Sequence, residues 1–286
     1  MKTILIPTDF SDISKNAVVY GFHLAQSIGA EIQLVHILEI YKFAAGTSEA
    51  ELISTILPAE NIAEMEKAAK QSFEDFVAQI LQQVPSGVPY RTEVVTGHLV
   101  NEMIVRSAMP DIDLIILSVS SSQDLMTRFT HNTISTILSE AQCPVLVVPS
   151  GFAYKPIKHV VFATDFLKEE LDMLAHFLNS FTIFAPKLTI LHVTSKGVDF
   201  TTELKMAGMK QLITEKTHYQ NFTFQLKSHK NVVQGIIEHT AEADLLLMLK
   251  EHEGFFKSLF EASKAEKITH YLKIPMLSYR IENFVK

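Results

Sequence analysis

Apolar residues in this chain fall into short runs rich in Ile, Val and Leu. The segments between them place apolar positions three to four residues apart. In the first half the runs are at residues 3–7, 32–38, 112–118 and 144–148, and a weaker one lies at 90–96. Such runs predict strands buried on both faces of a parallel sheet. The intervening segments, about 13–28, 60–83, 99–109 and 132–141, show amphipathic helical spacing; in the first of them Ile13, Ala17, Tyr20 and Leu24 share one face. Ser11 or Asp12 is a suitable N-cap for that helix and Gly29 a suitable stop. The order strand, helix, strand throughout implies a doubly wound sheet with right-handed crossovers.

The pattern occurs twice. ILIPTD at residues 4–9 recurs as VVFATD at 160–165, each followed by Phe, and LVHI at 34–37 recurs as ILHV at 190–193. Asp9 and Asp165 are as far apart in sequence as His36 and His192, which chance matches rarely achieve. DLIIL at 113–117 matches DLLLM at 244–248, and CPVL at 143–146 matches IPML at 274–277, at a shorter common spacing. The first half therefore carries an insert that the second lacks, placed mainly at 39–58. Strands are predicted at 159–163, 188–193, 222–227, 244–249 and 275–279, with helices at 168–182, 201–217, 231–242 and 262–273. Pro149, Ser150, Gly151 and Pro156 mark a linker, so the expected domains are 1–150 and 156–286. Each is expected to be a five-stranded parallel α/β unit with helices on both faces. The two are expected to pair through their final strands, because an apolar edge strand aggregates unless it is paired.

A length of 286 residues with 47% hydrophobic side chains is enough for two cores. The formal net charge of −7, with no dense Lys/Arg stripe, argues against a nucleic-acid partner. Cys143 is the single cysteine, so neither an intrachain disulfide nor a cysteine-based zinc site is expected. The N-terminus reads as a strand rather than a signal peptide, and no apolar run approaches the roughly 20 residues that span a bilayer. A cytoplasmic protein without membrane contact is the expectation.

In an open parallel sheet, ligands sit beyond the carboxyl ends of the strands where the strand order reverses. The residues placed there are Pro7, Thr8 and Asp9 after the first strand, Ile37 ending the second, and Ser118 to Ser122 after the fourth. Asp9 has two readings: a hydrogen-bond partner for a purine or ribose edge, or a turn-forming carboxylate at a helix start. His36 and His192 read as hydrogen-bonded core histidines.

PTDFS after the opening strand, LVHI, Gly97 and SEAQCPVLVVP, followed by FATDF, ILHV and SKAEKITHYLKIP, resemble in order and spacing the universal stress protein family in its tandem form. The resemblance implies an adenine nucleotide alpha hydrolase-like fold. It also implies a loop of the form G-x2-G-x9-G-[ST] after strand four, whose glycines let backbone amides approach phosphates. Counting back from Cys143-Pro144 places that pattern on Ser118, Ser121, His131 and Asn132. In the second half it falls on Leu249, His252, Ala262 and Ser263. No glycine stands at a pattern position of either loop, only the closing Ser263 matches in the second, and Glu251 and Glu253 oppose a triphosphate there. The candidate nucleotide site is thus a vestigial one at Pro7, Thr8, Asp9, Ile37, Ser118, Ser121 and Asn132, with Arg128 nearby. ATP is not expected to bind usefully, and then only in the first domain. Three functions remain open: a non-catalytic stress-response or signalling protein, an ATP-binding stress protein using the first domain, and an enzyme of the same fold. The absence of a GxSxG elbow, HExxH, P-loop lysine or paired catalytic carboxylates argues against the last. A homodimer is compatible with the tandem form but not required by it.

Overall fold

The computed structural model describes residues 2–39, 59–119, 130–250 and 272–284. The first half runs β1 (Lys2–Pro7), α1 (Asp12–Ile28), β2 (Ala30–Leu38), α2 (Ala59–Ile80), β3 (Tyr90–Thr96), α3 (Leu99–Ser107), β4 (Leu114–Val119), α4 (His131–Glu140) and β5 (Val145–Pro149). The second runs β6 (His159–Ala163), α5 (Glu169–Ser180), β7 (Lys187–Thr194), α6 (Phe200–Thr217), β8 (Phe222–Ser228), α7 (Val232–Glu238), β9 (Leu245–Lys250) and β10 (Met276–Arg280). Residues 262–271 of the predicted helix at 262–273 and most of the predicted insert lie outside the described residues, and Leu272 and Lys273 are not helical.

Local chemistry sets the element ends. Ser11 caps α1 by accepting from the Ser14 N–H, and Gly29 ends the helix in the left-handed region at φ 68°, its N–H returning to Ala25 O. Helix α7 stops at Glu238, short of the predicted 242: the His239 ring meets the Gly235 carbonyl and the Thr240 hydroxyl donates to Ile237 O. These local bonds draw carbonyls away from continued helix.

The strands form one ten-stranded sheet in the order β3-β2-β1-β4-β5-β10-β9-β6-β7-β8. The five strands of each half share the same internal order and are parallel; only the central β5–β10 pair is antiparallel, with Met276 opposite Val147 and Ser278 opposite Val145. The two expected sheets are therefore continuous, because the final strands supply each other's ladder hydrogen bonds. Both faces are covered. On β1, Ile4 and Ile6 enter a core with α1, α2, α5 and α6, while Leu5 points to the opposite core with α3, α4 and α7. That alternation within an apolar strand is the physical source of the unbroken runs in the sequence.

Candidate functional site

The strand order reverses between β1 and β4, which pair directly through Ile4–Leu114 and Leu5–Ile115. Their carboxyl ends, together with that of β2 on the far side of β1, bring Pro7, Thr8, Asp9, Ile37 and Ser118 to one edge of the sheet. Asn132 lies exposed in the first turn of α4, whose N-cap is Thr130. Ser121, like residues 120 and 122 and Arg128, lies outside the described residues, as do His252, Ala262 and Ser263.

Within this edge most polar atoms already have protein partners. The buried Thr8 hydroxyl contacts Ser14 Oγ at 3.0 Å and accepts from the Phe10 N–H at 3.0 Å. The Asp9 carboxylate accepts from the Ser11 N–H at 3.1 Å and from the Ser11 hydroxyl at 2.5 Å. Ser118 Oγ donates to Val148 O at 3.2 Å inside the sheet, and Ile37 is 3% exposed. Asp9 is half-buried and is the carboxylate of this edge that reaches solvent after β1.

Between Thr8 and α1 the chain makes a strained turn that sequence reading did not anticipate. Phe10 sits at φ 66°, a region costly for a side chain bearing Cβ. Its ring stacks on His36 with centroids 4.2 Å apart and packs on Phe73 and Phe76. His36 in turn fixes the turn from below, its Nδ1 lying 2.8 Å from Thr8 O.

The second half builds the same device. Phe166 sits at φ 65° against His192, with centroids 4.5 Å apart, and His192 Nδ1 lies 2.8 Å from Thr164 O. Two of the residues that tie the first turn differ in kind: where the first half has Ser11 and Ser14, the second has Leu167 and Glu170. Glu170 is 2% exposed; it accepts from the Thr164 hydroxyl in a very short bond and from the Asp165 N–H at 2.9 Å. Burial pushes its carboxyl up to about 7, against the opposing pull of those hydrogen bonds. The Asp165 side chain points outward, 75% exposed, with an oxygen 3.7 Å from His192 Nδ1. Both readings of Asp9 thus meet a common geometry, in which the residue after the Thr stands at a strand-to-helix turn. The repeated TDF was the sequence signal for the turn; the Ser/Glu exchange carried none.

Among the described residues no cluster of three or more His, Cys, Asp or Glu side chains is arranged to hold a metal ion. Cys143 is buried and its thiol is pushed up to about 12 by that burial, so it is not a thiolate nucleophile at neutral pH. Among the described residues no helix is long and apolar enough to cross a membrane.

A doubly wound parallel sheet with a polar turn at its switch point defines the fold class, and comparison with known proteins narrows this. The model of the universal stress protein family matches residues 1–149, and the chain belongs to that family. A universal stress protein of Methanocaldococcus jannaschii is 28% identical over 149 residues, covering 51% of this chain and 81% of that protein. A crystal structure of a universal stress protein from Archaeoglobus fulgidus aligns over 97% of this chain and 96% of its own, at TM-score 0.68 and 18% identity. The cytoplasmic domain of a prokaryotic cation chloride cotransporter aligns over 97% and 94%, at TM-score 0.52 and 11% identity. At such identities these two structures share the fold. They support the adenine nucleotide alpha hydrolase-like architecture over both halves.

Proposed function

We propose that this protein is a non-catalytic stress-response or signalling member of its family, built as a tandem repeat whose two nucleotide loops are both degenerate. The observation that carries the reading is at Ser118, the first expected glycine position. It is a buried strand residue whose hydroxyl is committed to Val148 O, in register with β5; the family resemblance puts a glycine at this position, and a Cβ there opposes close approach of a phosphate to the backbone. The neighbouring polar atoms are similarly engaged: Thr8 with Ser14, and Asp9 with Ser11. The protein acts in the cytoplasm through a protein or small-ligand partner. Its two halves take the place of the two subunits of a dimer, with β5 against β10, and further dimerisation of the chain is not needed to cover those edges.

The alternative, an ATP-binding protein using only the first half, draws support from the half-buried Asp9 beside Ile37 at the switch point. Titration calorimetry with magnesium ATP separates the two. The proposed reading expects no saturable heat at micromolar protein. Micromolar binding that Asp9→Ala abolishes would overturn it, and turnover of the bound nucleotide would overturn the non-catalytic assignment as well.

A further inference from the structure

At the opposite end of β1 from Asp9, a cleft of about 470 Å³ opens between the two halves. Its volume lies within the usual range of small-molecule sites. The first half lends it Ile4, Ile28 and Leu114, and the second Phe181, Tyr279 and Phe284. Among the polar side chains on these walls are Lys2, Asp113 and His176.

Each polar group has capacity to spare. Lys2 Nζ donates across the halves to Ser180 O at 2.8 Å, which uses one of its three N–H bonds. Asp113 accepts from the Thr3 N–H through Oδ2 at 2.9 Å, leaving Oδ1 as a further acceptor. His176 meets Tyr279 and Phe284 edge-on, with centroids 5.5 and 6.2 Å away. Burial, and then the Lys2 ammonium, lower its pKa, so the ring is neutral and offers one donor and one acceptor. Tyr279 is 2% exposed, and among the described residues nothing hydrogen-bonds its hydroxyl. Buried tyrosine hydroxyls ordinarily have a partner.

We propose that this cleft binds a small, flat, uncharged heteroaromatic molecule that presents a donor and an acceptor on one edge, as a lactam does, and is held between the two halves. The charges of Lys2 and Asp113 cancel, so neither a cation nor an anion is favoured. The aromatic side chains Phe181 and Phe284 suit a flat body. Tyr279 and Lys2 supply donors for the acceptor on the ligand's edge, and Asp113 or His176 takes its donor. The site needs both halves, and it is independent of the nucleotide reading because it lies at the other end of the strands.

The test uses the full chain with methyl-labelled Ile and Leu, titrated with 2-quinolinone and followed by NMR. Saturable shifts confined to the Ile4, Ile28, Ile112 and Leu114 methyls are expected. Tyr279→Phe keeps the ring and removes only the hydroxyl, and is expected to weaken binding about fivefold at an unchanged melting temperature. His176→Phe provides the second variant, with the same expected loss. Three results would each overturn the proposal: no shifts at millimolar probe, undiminished binding by both variants, or tighter binding of the anionic quinoline-2-carboxylate than of 2-quinolinone.

Discussion

Replacing Glu170 by Gln isolates the buried titratable group that stands in the second turn where the first has Ser14. The carboxyl is buried and held near 7 against an ordinary 4.5. Below pH 4.5 it is protonated in both folded and unfolded chains and has no pH-dependent effect. Between 4.5 and 7 the unfolded chain releases the proton while the folded chain keeps it, so stability falls as pH rises; above 7 both forms are ionised and the loss is complete. For a group this deeply buried the accumulated loss is about 3 kcal/mol. Gln keeps the shape: its carbonyl can accept from the Asp165 N–H, and its NH2 can donate to the Thr164 hydroxyl, which lies 3.5 Å from Met209 Sδ as an alternative acceptor. The expected result is that the variant's stability relative to the parent rises by about 3 kcal/mol between pH 4 and pH 8, because all other titrating groups cancel in the difference. Urea unfolding followed by far-ultraviolet circular dichroism suits a chain with no tryptophan. A difference in stability that stays constant across that pH range would refute the assignment of a buried, protonated carboxyl.

Two further perturbations test the frame around the site. Phe10→Gly relieves the cost of φ 66° but removes the stack on His36 and the contacts with Phe73 and Phe76; a net loss of about 2 kcal/mol is expected in urea unfolding, since the packing outweighs the strain. Arg106 is buried and grips both oxygens of Glu93, at 2.8 and 3.0 Å, and one of Glu102 at 3.2 Å. Arg106→Ala is expected to cost about 2 kcal/mol at pH 7, discounted for the exposure of Glu93. Arg106 holds the Glu93 carboxyl below its usual range, so the stability from this contact is present above that range and fades on acidification; a loss as large at pH 3 as at pH 7 would count against the ion pair.

The strands and the doubling of the pattern were legible because burial on both faces writes itself into unbroken apolar runs. Residues 90–96 gave β3 its observed ends although the run is weak, as expected of an edge strand with one wet side. Helix ends were less legible: α7 was overextended because the side-chain bonds of His239 and Thr240 that stop it have no periodicity. The edge occupied by Thr8, Asp9, Ile37 and Ser118 followed from strand order alone. What could not be read was how those polar atoms are spent, since whether a threonine hydroxyl faces a ligand or a serine six residues further along depends on the turn, and an aromatic residue in the left-handed region has no sequence signature.

The comparison of the two turns bears on what Asp9 and Asp165 are for. Both follow a buried threonine, and both precede a phenylalanine at positive φ that rests on a histidine bonded to the threonine carbonyl. Their carboxylates nevertheless behave differently: Asp9 turns back onto Ser11, whereas Asp165 extends into solvent and Glu170 takes the Asp165 backbone N–H. A device that survives with its aspartate used in two ways is sustained by the packing of Thr, Phe and His. It follows that an aspartate at this position is poor evidence for a bound nucleotide in either half, and that the Asp9→Ala calorimetry carries the decision only if binding is first seen in the parent chain. In the second half the buried Glu170 adds negative charge beside the same turn once it ionises, and so opposes an anionic ligand there more strongly above pH 7 than below it.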